Sequence, residues 1–140
     1  MSNLKIFISS TFIDLSESRS ELRRWIQGLF NLDLVVMETF GSDSAPPEIN
    51  SVRRVRECDF FIGIYAHRYG TIDGSSGKSI TELEFDEAQI AYSQGTLKDV
   101  LIYIINSNSL WLSEFKETKS PQIECLERLK SKVKNQCCPI

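Results

Sequence analysis

Short apolar runs alternate along the chain with stretches in which apolar residues recur every three or four positions. The apolar runs cover residues 4–9, 32–40, 59–66 and 99–105 and predict four β-strands. The stretches between and after them predict helices, one of which covers about 81–93. The other helices carry apolar stripes made of Leu15, Leu22, Trp25, Ile26 and Leu29; of Ile49, Val52 and Val55; and of Ile123, Leu126, Leu129 and Val133.

Strands that alternate with helices predict parallel β-α-β units, right-handed crossovers and helices on both faces of the sheet. The run DFFIGIYA at 59–66 is apolar almost throughout, as expected of a strand covered on both faces. We therefore predict one domain, residues 1–140, with a flavodoxin-like, doubly wound parallel sheet in three α/β/α layers. Its core spans 4–105, followed by a C-terminal helix at about 120–134 and a flexible tail at 135–140. Ligands of such sheets bind beyond the carboxyl ends of the strands, so the loops after the first three strands form the predicted site.

Length and charge narrow the classes of function. With 140 residues the chain can form one domain with a sizeable core. Its formal charge of −3 argues against a general nucleic-acid binder. No apolar run approaches the ~20 residues that span a bilayer, and residues 1–3 lead into the first strand without a signal peptide. We therefore expect a cytoplasmic protein that contacts neither nucleic acid nor membrane.

The cysteines do not predict a metal site. Cys58, Cys125, Cys137 and Cys138 form no C-x-x-C pair, and His67 is the single histidine. The pair Cys137-Cys138 is either a redox or metal handle or, more often at such a position, part of an unstructured tail. We assign no metal and no required cofactor.

Hydroxyl-bearing residues follow the first strand immediately. Ser9, Ser10 and Thr11 end the run KIFI, and a helical pattern opens near Asp14. A turn of this kind places backbone N–H groups at a helix N-terminus, where phosphate or carboxylate groups bind favourably. The same residues also serve as ordinary turn and N-cap groups. Because no glycine-rich phosphate loop is present, the two interpretations carry similar weight.

The predicted third helix begins with SITELE, in which two capping boxes overlap. One pairs Ser79 with Glu82 and the other pairs Thr81 with Glu84. At ~100° per residue, the two glutamates lie on different faces of the helix. Glu82 falls on a face predicted to meet solvent, with Asp86, Gln89 and Ser93, whereas Glu84 falls between Ala88 and Ala91 in an arc that also holds Leu83 and Ile90.

A carboxylate among small and apolar residues needs a specific role. Glu84 either caps its own helix or faces the crevice at the strand ends, where the alanines leave room for a ligand. We favour the crevice, because Ser79 and Glu82 already supply a cap. Glu87 lies on the same broad arc and is a weaker candidate.

The loop at residues 67–78, after the third strand, is long, polar and glycine-rich. Such loops often carry function. Arg68 can hold a pyrophosphate and Tyr69 can stack on a base, although a structural role is the more frequent one for each residue alone. Glu38, at the end of the second strand, either binds ribose hydroxyls or is an ordinary carboxylate at the sheet edge.

Four motifs in order resemble the TIR-like domain of unknown function that is named for its FISSTF signature. They are KIFISSTFIDL, METFG, ECDFFIGIYAHRYG and SITELEFDEA, and the match that they define runs over about residues 4–105. The resemblance implies an effector or signalling module of the kind that stands at the N-terminus of STAND- or NACHT-type NTPases. Self-association and a sensor partner, in the same chain or another, are implied with it.

TIR domains share the flavodoxin-like fold, and many cleave NAD with a glutamate on the helix after the third strand. That position looks like Glu84, and Glu84-x-x-x-Ala88 is also similar to the glutamate helix of nucleoside deoxyribosyltransferases, which attack another N-glycosidic bond. Two features depart from the pattern. The usual Glu-Arg pair of the first helix is Ser18-Arg19 here, and the tryptophan-cysteine element common before the TIR glutamate is missing.

The resemblance thus implies an NAD glycohydrolase with NAD as its substrate. Glu84 would be the catalytic residue, because a carboxylate stabilises the positive charge that develops on the ribose. The predicted ligand contacts are Ser9, Ser10, Thr11 and Arg68 at phosphates, Phe12 or Tyr69 on a ring, and the carboxylates Glu38 and Glu82.

Two other classes of function stay open. A non-enzymatic module for self-association or partner binding would depend on Trp25, Trp111 and the basic run Arg53-Arg54-x-Arg56, which is otherwise a solvated helix face. A receptor for a nucleotide-derived signal would use the same crevice without turnover.

Overall fold

The computed structural model describes residues 4–11, 15–28, 32–35, 47–105 and 116–136. Strands and helices alternate in the predicted order: β1 (Leu4–Ser10), α1 (Ser16–Gln27), β2 (Leu32–Val35), α2 (Pro47–Arg56), β3 (Phe60–Tyr65), α3 (Ile80–Ser93), β4 (Asp99–Ile104) and α4 (Ser120–Gln136). Predictions for Phe12, residues 36–40 with Glu38, Trp111, Cys137 and Cys138 lie outside the described residues. Within the described ranges, every helix is too short or too polar to span a bilayer.

The described strands form one parallel sheet in the order β2-β1-β3-β4. Phe7 of β1 lies opposite Val35 of β2 on one side and Phe61 of β3 on the other. The chain therefore winds outward from β1 in both directions, and the predicted doubly wound, flavodoxin-like sheet is confirmed. Because the strand order reverses next to β1, the carboxyl ends of β1 and β3 form the edge at which such sheets bind ligands.

Successive residues of β1 and β3 point to opposite faces of the sheet and build two separate cores. In the larger core, Phe7 and Phe61 stack with 5.8 Å between their ring centroids. Buried side chains of α2, α3 and α4 complete it: Val55, Phe85, Ala88, Ala91, Leu126, Leu129 and Val133. On the other face, Ile6 and Ile8 pack with Leu22 of α1. Helices thus cover both faces, as predicted.

The buried face of α3 differs from the predicted arc. Phe85, Ala88 and Ala91 are buried, but Ile90 is 49% exposed and Leu83 is only half-buried. The large ring of Phe85 fills the core against Tyr65, with the two rings edge to face. This contact sets the rotation of α3 about its axis, so that Leu83 and Ile90 fall at the margin of the core.

Candidate active site

Polar side chains are buried where β1 ends beside the N-terminal halves of α2 and α3. They are Ser9, Ser10, Thr11, Asn50, Ser51, Thr81 and Glu84, each at most 8% exposed. Parallel strands bring their carboxyl ends to the same edge as the N-termini of the helices that follow them, so residues distant in sequence meet here. Among the described side chains, no group of three or more potential metal ligands lies together.

Glu84 is held by hydroxyl groups from outside its own helix. Ser9 Oγ donates a hydrogen bond of 2.7 Å to Glu84 Oε1, and the Ser51 hydroxyl of α2 bonds to the same carboxyl group. Helix α3 is capped instead by Ser79, whose Oγ accepts a 3.1 Å bond from the Glu82 N–H. The predicted Ser79 cap is confirmed, and Glu84 faces the strand ends.

The environment of Glu84 changes its acidity. Burial raises the pKa of Glu84 to about 7, while the hydrogen bonds from Ser9 and Ser51 and the positive charge of Arg19 oppose the rise. Near neutral pH the carboxyl group is therefore divided between its protonated and ionised forms. A group in this condition can supply either a proton or a negative charge, which is typical of active sites.

The end of β1 is also held from the opposite face of the sheet. Arg19 of α1, only 3% exposed, donates from Nη1 to Ser10 Oγ at 2.6 Å and to the Ser10 carbonyl oxygen at 3.3 Å. The sequence pattern alone did not predict that Arg19 lies at the site. Its position four residues after Leu15 and three before Leu22 puts it on the apolar stripe of α1. A charged residue on such a stripe is the signal that identifies it.

Ser51 is a second site residue that sequence reasoning missed. It lies one helical turn before Val55, on the face of α2 that packs against the core, and it is 2% exposed. A serine on an apolar stripe is a weak signal, because small hydroxyl residues are tolerated in helix faces for many reasons. Only the position of α2 beside α3 shows that its hydroxyl group meets Glu84.

The loop after β3 closes against the end of β1. Gly70 has a φ of +96°, a left-handed conformation that favours glycine. A Cβ atom at Gly70 would lie 3.0 Å from Thr11 Cγ2 and 3.4 Å from Thr81 Oγ1. Glycine is therefore needed both for its backbone conformation and for the close approach of the loop to Thr11.

Gly70→Ala is expected to destabilise the domain by about 1–3 kcal/mol, because a side chain at positive φ is strained and its Cβ crowds Thr11. Urea unfolding followed by circular dichroism measures the change. Gly74→Ala is the matched control, since no atom lies within 4 Å of a Cβ at that position. Equal stabilities for the two variants would contradict the tight closure of the loop.

Tyr69 is part of the core and has no exposed ring face. It is 0% exposed, and its hydroxyl donates a short hydrogen bond to Glu82 Oε1. Burial and this bond raise the pKa of the Tyr69 phenol. The structure therefore corrects the predicted role of Tyr69 as a stacking platform. Tyr69 packs the loop onto α3, the structural alternative considered for it.

The face of α3 that carries Glu82 was predicted to meet solvent, and this prediction is wrong. Glu82 is 2% exposed, because α4 packs over it. Lys132 Nζ lies 2.5 Å from Glu82 Oε2 and 2.7 Å from Asp86 Oδ1, and Arg128 lies 3.6 Å from Glu82 Oε1. Burial alone would raise the pKa of Glu82, but the bonds from Lys132 and Tyr69 more than offset it and lower the pKa. Glu82 thus joins α3 to α4 and points away from Glu84.

Glu82→Gln is expected to destabilise the domain by about 1–3 kcal/mol at pH 7, because it removes hydrogen bonds from charged and phenolic donors to a buried carboxylate. Since the folded state lowers the pKa of Glu82, this contribution is present above the unfolded pKa and is lost as the pH falls through the folded one. The free energies of unfolding of the variant and the wild type should therefore become equal at acid pH. Glu124→Gln, at an exposed position of α4, serves as the control, and a pH-independent difference would argue against the ionic role.

The remaining candidates lie on three different segments of the chain. Arg68 is half-buried at the start of the loop after β3. Glu87, the weaker rival of Glu84, forms an ion pair of 2.5 Å with Arg56 of α2. Trp25 of α1 is 68% exposed.

Comparison with known proteins identifies a family. The family model described as Domain of unknown function (DUF4062) matches residues 5–139, from β1 through α4. The solved structure described as a crystal structure of a prokaryotic SEFIR domain is similar, with a TM-score of 0.49 and 12% identity over 97% of this chain and 99% of that chain. No curated protein matches the chain. The family expected from the FISSTF stretch is thus confirmed.

Proposed function

The chain belongs to the DUF4062 family, and we propose that it is a TIR-like effector domain that hydrolyses the nicotinamide–ribose bond of NAD. The observation that carries the proposal is the setting of Glu84. Its carboxyl group is buried at the carboxyl ends of the strands, bonded to Ser9 rather than to its own helix. Its pKa of about 7 lets it change charge near neutral pH.

In the proposed reaction, the bond between ribose C1′ and the nicotinamide nitrogen breaks, and its electron pair neutralises the cationic ring. The ribose then carries oxocarbenium charge, which the ionised Glu84 stabilises in a site shielded from water. Water adds to C1′ and loses a proton, so that NAD and water yield nicotinamide, ADP-ribose and a proton. Because the leaving group departs as a neutral molecule, no strong general acid is required.

The other residues proposed to contact NAD are assigned to its parts by their position in the fold. Thr11 and Arg68 border the end of β1 and the loop after β3, where they would position the phosphates of NAD. The hydroxyl groups of Ser9 and Ser10 are bonded to Glu84 and Arg19, so these two residues would shape the strand end and not bind phosphate directly. Phe12 remains the proposed ring contact and Glu38 the proposed ribose contact. Tyr69 and Glu82 are left out of the ligand contacts, because they are engaged with each other inside the α3–α4 interface.

We further propose that the domain acts in the cytoplasm, that self-association switches it on, and that a sensor module of the NTPase type controls the assembly. Glu84 is 6% exposed in the single chain. A substrate therefore gains access only if the site edge rearranges, and packing between copies is one source of such a change. This arrangement supports a site that is closed in the monomer and competent in the assembly.

A second candidate is a non-enzymatic interaction module, and the exposure of Trp25 favours it. A tryptophan exposed to 68% on a helix surface is a typical anchor of a protein contact. This role does not require Glu84 to be ionised or accessible.

Incubating the purified domain with NAD tests the proposal. The domain is assayed alone and fused to a coiled coil that forces it to cluster, and nicotinamide and ADP-ribose are quantified. We expect equal amounts of the two products, with a higher rate per molecule in the fusion. If the clustered domain releases no nicotinamide, NAD cleavage is wrong and the interaction module is favoured.

A further inference from the structure

The last two residues of β1 connect the two faces of the sheet. Successive side chains of a strand point to opposite faces. Ser9 turns towards α3 and bonds to Glu84 at 2.7 Å, while Ser10 turns towards α1 and accepts a bond of 2.6 Å from Arg19. One short piece of backbone therefore separates the arginine contact from the glutamate contact.

The burial of Arg19 requires an explanation. Arg19 is 3% exposed and has lost nearly all contact with water, which is costly for a charged side chain unless its hydrogen bonds are satisfied. Two of those bonds go to one residue, to the hydroxyl and the carbonyl oxygen of Ser10. Both bonds come from one nitrogen, Nη1, so Arg19 ties the side chain and the backbone of Ser10 to α1 at once.

We propose that Arg19 is a positioning residue of the site: by clamping Ser10 it holds the end of β1 so that the Ser9 hydroxyl stays on Glu84. The inference rests on the proposed function for its catalytic meaning, but the positioning of Glu84 is testable without NAD. Neither the family resemblance nor the helical pattern assigns this role. It follows from the contacts on the two faces of β1.

The charge of Arg19 supports the same role. It lowers the pKa of Glu84 against the effect of burial, and thus favours the ionised carboxylate. The other described groups that act on Glu84 are neutral hydroxyls, Ser9 from β1 and Ser51 from α2. On α3 itself, Glu87 is paired with Arg56. Arg19 is thus the cation whose removal should alter the titration of Glu84.

The test measures the titration of Glu84 by NMR of protein labelled with carboxyl-¹³C glutamate, with the resonance assigned by its absence in Glu84→Gln. Arg19→Gln is expected to raise the midpoint by about 0.5 pH or more above the wild-type value. Arg24→Gln, which removes an exposed arginine from the same helix, should leave it unchanged. Equal midpoints for the Arg19 and Arg24 variants would overturn the proposal.

Ser10→Ala provides a second variant in case Arg19→Gln does not fold. It keeps the positive charge but removes the hydroxyl that Arg19 grips, so the midpoint should again rise as the clamp loosens. A wild-type midpoint in Ser10→Ala, with the protein folded, would overturn the positioning role. If the midpoints shift as expected while no protein releases nicotinamide, Arg19 positions Glu84 and the proposed NAD cleavage is what fails.

Discussion

Glu84→Gln is expected to gain about 3 kcal/mol of stability relative to the wild type as the pH rises from 4.5 to 8. The folded protein raises the pKa of Glu84 from 4.5 to about 7. Between these values the folded carboxyl group binds a proton that the unfolded one has lost, so the wild type loses stability as the pH rises through this window. Glutamine has no charge to bury, and its amide oxygen can still accept the Ser9 bond.

Urea unfolding of the wild type and Glu84→Gln at pH 4.5, 6 and 8 measures this difference. The matched control is Glu87→Gln on the same helix, whose carboxylate pairs with the largely exposed Arg56. That variant should change the free energy of unfolding by less than about 1 kcal/mol, because the pair is open to solvent on the Arg56 side. If the free energies of unfolding of the wild type and Glu84→Gln change in parallel with pH, folding does not raise the pKa of Glu84.

The same substitution is expected to lower nicotinamide release from NAD by about 100-fold or more, the usual cost of removing one group that stabilises transition-state charge. Glutamine fills the space of Glu84 and keeps the contact with Ser9, but it cannot oppose the positive charge on the ribose. The expected profile is therefore a more stable and inactive protein. This pairing of gained stability with lost activity is typical of residues kept for function.

Glu87→Gln again serves as the comparison, because the two glutamates lie on one helix, three residues apart. It should keep nearly all nicotinamide release, measured at the same protein concentration with the clustered fusion. Activity retained in Glu84→Gln, or lost equally in both variants, would contradict the assignment of Glu84.

The order of elements and the sheet could be predicted from the sequence, because each strand and helix has a clear hydrophobic period. The pattern also predicted that Glu84 faces the strand ends, because a carboxylate between Ala88 and Ala91 stands out on a helical wheel. It failed for Glu82. A helical wheel considers α3 alone. In the structure α4 packs on a second face of α3 and brings Lys132 to the Glu82 carboxylate.

Tyr69 and Arg19 show a related limit. The type of a side chain suggests which ligands it could bind, but its burial decides whether a ligand can reach it. Tyr69 is an aromatic residue in a loop, and yet its ring is 0% exposed. Arg19 is a charged residue of a surface helix, and yet it lies under α1 against the end of β1. Both placements depend on contacts between segments distant in the sequence, which no local pattern contains.

The most direct test of the central claim is the titration of the Glu84 carboxyl group in the clustered fusion, with and without a non-cleavable carbocyclic analogue of NAD. We predict a midpoint of about 7 in the free protein and a lower midpoint with the analogue bound, because a cationic nicotinamide ring favours the ionised carboxylate. A midpoint that saturating analogue leaves unchanged would mean that Glu84 does not contact the substrate and would contradict the proposed active site.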